Sequence, residues 1–546
     1  MATSAWAHPD VAAGAGARTF LSAAASDWDA ALDTTRIVER LELAADRNVR
    51  APAAVSTCAP QCSNRIYYFG NRKLAGADCM AVKEELTASQ LAVTCLDDFI
   101  FGRALHPVSC GRGIVCGDGT VIPEINFTLP SMDINEGTRP EVRSQYSQMI
   151  EGVCRRAVDL EVPGLLVEFE TLPPMTTRPE WGAEITRLLA DTLRNYHERH
   201  GLKSALRLTP NDNRDHERPA LMRRGQYWEG MLRLFNLAAD AGADLLAIES
   251  TGGKEVSDTA LMNADLRGVL FALGVLGARD MEFLWREIVG VCARTGIVAS
   301  GDTACGFANT AMVLAEQKMI PRVFAAVVRV AAVPRSLVAY EMGAVGPSKD
   351  CAYEGPYMKA IAGVPISMEG RTSACAHLSP VGNISQAVCD CWSNESVQNV
   401  RLLSANAPTV CLEQLAYDCR LMNVASSRSN GDARRLRDWL VESDASLDPQ
   451  AFVLRPDVVL RLAKSIMEES TPYSRTRRAI LAVLQEIQQA HHRGEVKILT
   501  REIRWLDTLQ KQADALPEAE EELISEMLQS PEAAHFLPEE YGLATA

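Results

Sequence analysis

A chain of 546 residues, 47% hydrophobic and 23% charged, is long enough for one large α/β barrel with additions or for two or three smaller domains. Fifty-five Lys and Arg against 70 Asp and Glu leave a formal net charge of -15, which argues against nucleic acid or an anionic membrane as the main partner, since both attract clustered positive charge. No apolar run approaches the roughly 20 residues of a bilayer-spanning helix, and the start MATSAWAHPDVAAGAGARTF has no basic segment before an apolar core. A cytoplasmic home is expected, where most of the 15 cysteines stay reduced and serve as buried hydrophobes, metal ligands or nucleophiles.

Residues 1–79 mix Ala-rich segments with Cys58, Cys62 and Cys79, and only NRIYYFGNRKLAG suggests local order. Met80 opens MAVKEELTASQLAVTCLDDFIFG, which reads like an ordinary protein start followed by an amphipathic segment. The expectation is that residues 1–79 are an N-terminal extension, poorly ordered or an over-extended reading frame. Expression from Met80 should then retain full activity, and a shortened chain that fails to fold would remove the idea.

From about 120 to 410, short apolar runs alternate with helical patterns. GLLVEFE (164–170), SALRLTP (204–210), DLLAIES (244–250), GIVASGD (296–302) and SLVAYEMG (336–343) read as strands buried on both faces. Between them, EITRLLADTLRNYHERHG sets Ile185, Leu188, Leu189, Leu193 and Tyr196 on one helical face and stops at Gly201. QYWEGMLRLFNLAADAG repeats the pattern with Trp228, Met231, Leu232 and Phe235. Strands alternating with crossover helices predict an α/β fold with a parallel sheet, at this length a TIM (β/α)8 barrel over 80–430; an open doubly wound sheet is the alternative. RRLRDWLVESD, DVVLRLAKSIMEES, RRAILAVLQEIQQAHHRG and EAEEELISEMLQS predict a helical C-terminal region over 431–546, its charge runs being solvated faces.

Barrel enzymes act at the carboxyl ends of their strands. DLLAIES ends on Glu249, GIVASGD leads to Cys305 in SGDTACGFANTAM, and the connection after SLVAYEMG carries Cys351. On consecutive strands these exits would be neighbours, and two sulfurs with one oxygen suit zinc with a fourth position open for substrate. A lone cysteine in a small-residue loop is more often packing, however, and Cys375 with His377, Cys389 and Cys391 compete for the same role. Spacing alone does not choose among the five thiols. Cys110 and Cys116 match no strong zinc pattern and read as structural. The glycines of GDGT and STGGKEV lack a phosphate-loop or dinucleotide spacing, and no GxSxG elbow is present.

The segments GDGTVIPEINF, WGAEIT, GADLLAIESTGGKEV, SGDTACGFANTAM, PRSLVAYEMGAVGPSKDCAYE, MEGRTSACAH and CDCWSNESV resemble the zinc-containing subunit of methanol:corrinoid methyltransferases, from about Asp97 to the terminal FLPEEYGL. The resemblance implies a TIM barrel whose zinc is held by Glu249, Cys305 and Cys351, leaving Cys375, Cys389 and Cys391 outside the ligand set. It also implies methyl transfer from methanol to cobalt(I) of a corrinoid carried by a partner protein, and a homodimer within a hetero-oligomer. The zinc site would carry a formal charge of about -1, which weakens its Lewis acidity, so an acid near the leaving oxygen is expected. Glu124, Glu168, Glu170 and Asp302 are the candidates for that acid or for a supporting role, with a purely structural carboxylate the commoner explanation for any single one. The alternatives are the same zinc chemistry on another small methyl donor, a non-catalytic barrel that binds a corrinoid protein, and a metal-free barrel.

Overall fold

Four of the five apolar runs are strands of one parallel sheet. The computed structural model describes residues 91–127, 129, 132–349, 354–366 and 407–543. Within them a hairpin, β1 (Arg103–Cys110) and β2 (Ile114–Asp118), precedes β3 (Glu124–Phe127), β4 (Leu165–Glu170), β5 (Ser204–Thr209), β6 (Leu245–Ile248) and β7 (Val298–Asp302). Strands β3 to β7 pair in parallel in chain order. Between them run helices α1 (Arg139–Asp159), α2 (Pro179–His200), α3 (Gly225–Ala241) and α4 (Ala278–Thr295).

The helices form for the reasons their sequences give. In α2 the stripe Ile185, Leu189 and Leu193 is buried, and Gly201 ends the helix at φ +69°, its N–H donating to the His197 carbonyl. In α3, Trp228, Met231, Leu234 and Phe235 form the buried face, with Leu232 partly buried beside them.

The run SLVAYEMG is a correction: residues 336–341 lie in helix α6 (Val333–Glu341), which follows α5 (Arg322–Ala331). Pro334 sits in the first turn of α6, where its missing N–H costs nothing. The two helices are enclosed, so apolar residues extend over most of their surface with only Arg329, Arg335 and Ser336 as buried polar side chains among them, and a short apolar run then looks the same as a buried strand. The stretch Arg322–Glu341 also overturns the expectation that no segment is long and apolar enough to cross a membrane. It has 20 residues, and its most apolar 18-residue window, at mean hydropathy 1.6, is wholly buried inside the fold.

The next stave of the sheet is instead the glycine- and proline-containing AVGPSK. Val345 N–H donates to the Ala299 carbonyl at 2.8 Å and Gly346 N–H to Ser300 at 2.9 Å, and Ser348 then bridges Ile366 in parallel. The wall therefore continues in chain order beyond β7 through two more extended segments, as a TIM barrel requires.

Alternation along the strands sorts the interior from the wall. Leu165, Val167, Phe169, Leu206, Leu208, Leu246 and Ile248 pack outward against the helices in the main core. Leu166, Ala205 and Leu245 point inward, where Val108, Cys110, Ile114 and Cys116 of the β1–β2 hairpin and part-buried Val298 and Val345 close an apolar floor. Cys110 and Cys116 are thus packing residues of that floor, and neighbouring Cys116 with burial holds the Cys110 thiol well above its usual range. The helices after 407 share the main core with the barrel. Tyr357 donates to Val453 at 2.6 Å, and the C-terminal Tyr541 hydroxyl accepts the Gly253 N–H at 3.1 Å just past β6.

Gly301 marks a bulge. The β6–β7 register slips between Leu246 and Ala247, so that Ala247 pairs with Gly301 and Ile248 with Asp302. A Cβ on Gly301 would lie 2.5 Å from the hydroxyl of Tyr340, a fully buried side chain on α6. Gly301→Ala should therefore destabilise the fold by about 1–3 kcal/mol, seen as a lower denaturant midpoint.

Candidate active site

Above the apolar floor the inward positions become polar. Along β4 Leu166 is followed inward by Glu168 and Glu170, along β5 Ala205 by Arg207 and Thr209, and along β6 Leu245 by Ala247, with Glu249 next beyond the strand. The lower part of this interior is a closed ion-pair network. Arg207 reaches Glu124 through two bonds, Nε to Oε1 at 2.6 Å and Nη2 to Oε2 at 3.1 Å. The same guanidinium donates to the Ser300 hydroxyl and, at 3.0 Å, to the Pro347 carbonyl. Both members of the pair are fully buried.

One layer nearer the strand exits, a single ammonium serves three carboxylates. Lys349 Nζ lies 2.5 Å from Glu168, 2.9 Å from Glu249 and 3.7 Å from Glu170. Glu168 also accepts the Thr209 hydroxyl and, at 3.4 Å, the Asn126 amide. Withdrawal from water raises the Glu168 carboxyl above its ordinary value, against the pull of Lys349. The same cause pushes Glu249 up to about 7, again opposed by Lys349 and reinforced by Glu170 and Glu168. Glu249 retains 28% of its side-chain surface exposed, at the mouth.

Cys305 opens a π-helical turn, Cys305–Asn309, three residues beyond the end of β7. Its Sγ accepts the Asn309 Nδ2–H at 3.1 Å. Phe307 and Ala308 N–H both return to the Ala304 carbonyl, and Ala304 N–H donates to Glu354 Oε1 at 2.6 Å. At Gly306 the space a side chain would fill is taken by the Lys254 stem, 3.2 Å from a Cβ built there. The absent side chain lets the loop pass under the helix that begins at Lys254.

Ile248 and Asp302 are register partners, so Glu249 and Cys305 leave adjacent strands at the same end of the barrel. Cys351 lies outside the described residues, as do Cys375, His377, Cys389 and Cys391. Among the described residues no three His, Cys, Asp or Glu side chains gather into a metal-holding group. The four candidate acids separate clearly. Glu168 and Glu170 share the Lys349 layer with Glu249, whereas Glu124 is committed to Arg207. Asp302 faces the helices, because the bulge at Gly301 shifts the phase of β7. It accepts from Ser250 N–H and Trp285 Nε1–H, each at 3.4 Å, and lies 3.7 Å from Arg335.

Sequence reasoning gave no role to Arg207 or Lys349. The signal was present in each case: a charge inside an otherwise apolar strand, and a lysine two residues before a candidate ligand.

The fold and its mouth define an α/β-barrel protein whose strand exits carry a thiol and a carboxylate above a charged interior. The chain belongs to the family of methanol-cobalamin methyltransferase B subunits, which it matches over residues 86–542. It is 36% identical to the methanol–corrinoid protein co-methyltransferase of Methanosarcina barkeri (strain Fusaro / DSM 804) over 460 residues, 83% of this chain and 98% of the relative. It is also similar to a chain in the crystal structure of the methanol:cobalamin methyltransferase complex from Methanosarcina barkeri, at TM-score 0.76 and 36% identity, covering 83% of this chain and 99% of that one.

Proposed function

We propose that this chain transfers the methyl group of methanol to the cobalt of a corrinoid carried by a partner protein, with a zinc ion held by Glu249, Cys305 and Cys351. The observation that carries the reading is the exit of Glu249 and Cys305 from adjacent strands, Glu249 being one of three carboxylates that share one ammonium. Three carboxylates gathered around one ammonium, with a thiol at hand, favour a cation there. A carboxylate and thiolates are donors that zinc accepts.

When bound, zinc supplies Lewis acidity toward the methanol oxygen, which has to leave as water when the C–O bond breaks. The chain's own residues set the conditions. Lys349 anchors Oε1 of Glu249, which fixes the carboxylate's direction, and Asn309 donates to the Cys305 sulfur, which favours its thiolate. Glu168 and Glu170 stand closest to the mouth among the four candidate acids and are proposed to hold the proton that the departing oxygen takes up. The Arg207–Glu124 pair and the apolar floor close the lumen from below, so methanol and the corrinoid approach from the strand-exit side. A homodimer paired with the corrinoid protein is the proposed assembly.

The test is metal analysis of the purified chain, coupled to spectroscopic detection of cobalt(I) cobalamin methylation by methanol. About one zinc per chain with methanol-dependent methylation supports the reading. Zinc with activity only on an aryl methyl ether, a methylated thiol or another small alcohol would replace methanol as the donor. A chain without zinc or methyl transfer would leave a binding barrel.

A further inference from the structure

Glu354 is a carboxylate with no part in the reaction described above, and it is 1% exposed. It precedes α7 (Gly355–Ala362) and spends Oε1 on two donors from different parts of the fold. One is the backbone N–H of Ala304 at 2.6 Å, the residue immediately before Cys305. The other is the hydroxyl of Ser336 on α6 at 2.8 Å. Ser336 and Ala304 are themselves fully enclosed, so the carboxylate is pinned to a rigid helix on one side and to the Cys305 turn on the other. Burial raises its pKa, and its second oxygen has no side-chain partner among the described residues. A buried carboxylate is a costly way to fill space unless its bonds hold something in place.

The placement of Glu354 along the chain gives it a purpose. Cys351 is three residues before it, and Lys349 is two residues before Cys351. The flanks of Cys351 are therefore tied to the other two residues of the zinc set: Lys349 to the carboxylate of Glu249 at 2.9 Å, and Glu354 to the residue beside Cys305. We infer that Glu354 is a positioning residue that fixes the Cys305 turn against helix α6, and so sets the direction in which the Cys305 thiol is offered to the metal. It acts through its acceptor oxygen and its length. This inference rests on the zinc reading proposed above.

The experiment compares wild type with Glu354→Gln, Glu354→Asp and Glu354→Ala in the full chain. Zinc affinity is measured by chelator competition, and thiolate ligation by the charge-transfer absorption of the cobalt(II)-substituted protein. Glutamine keeps the acceptor at full length and should bind zinc like wild type, with the same cobalt spectrum. Alanine removes the acceptor, and zinc affinity should fall about 10- to 100-fold with an altered thiolate band, the cost typical of losing a partner that orients a ligand. Aspartate, which keeps charge and acceptor but is one methylene short, should fall in the same direction and serves where the alanine variant fails to fold. Wild-type affinity and spectrum in the aspartate or alanine variant would overturn the inference, as would a glutamine variant as impaired as alanine. A wild-type chain that takes up no zinc would overturn the underlying reading and the inference with it.

Discussion

Cys305→Ala should yield a folded chain that has lost both zinc and methyl transfer. The thiol contributes little to packing: Cys305 is only partly buried and touches the edge of the main core. Its turn is held by backbone bonds and by Glu354, neither of which needs the sulfur. Truncation therefore removes a donor without removing the scaffold, and the stability cost should stay near the roughly 1 kcal/mol typical of a point change. Zinc would be left with one carboxylate and one thiolate, so affinity should fall by more than the roughly 10- to 100-fold that accompanies loss of an outer partner. Metal analysis and the cobalamin assay read the two losses separately. Full zinc with full turnover would remove Cys305 from the ligand set, and full zinc without turnover would make the thiol a participant other than a ligand.

How much of this was legible in the sequence depended on how strongly each segment's environment marks its residues. Strands β4 to β7 are buried on both faces and read directly as apolar runs. The stave at Val345–Ser348 has the composition AVGPSK, in which two of the residues between Ala344 and Lys349 are a glycine and a proline, and periodicity finds nothing there. Residues 336–343 failed in the opposite direction, because an enclosed helix loses the polar face that would betray its period. Glu249 and Cys305 were legible as the first chemistry-bearing residues beyond strand ends. Asp302 had the same credentials, but the bulge at Gly301 turns it to the helix side, and a lone glycine is too weak a signal to locate a register slip. Choosing Cys351 over three other thiols needed the family resemblance, since spacing alone left them equivalent.

The charged interior makes the second large prediction. Arg207→Met should lower stability by about 3–5 kcal/mol, because it strands a fully buried Glu124 carboxylate, whereas the Ser300 hydroxyl and the Pro347 carbonyl keep their own bond at 2.7 Å. The loss comes mainly from the unpaired charge. A double variant, Arg207→Met with Glu124→Leu, should therefore recover a large part of it, since apolar side chains would extend the floor of Leu166, Ala205 and Leu245 upward. Denaturant midpoints of the two single variants and the double close the cycle, and strict additivity of the two losses would contradict a pair that acts as a unit. The double variant also decides the role of Glu124. If the pair only supports the wall, a stable double variant should keep zinc and a measurable methyl transfer rate, because Glu249, Lys349 and Cys305 sit nearer the mouth and keep their own contacts. A double variant as stable as wild type, fully loaded with zinc and unable to transfer methyl, would instead place Glu124 in the chemistry, acting on the departing oxygen from below the Lys349 layer.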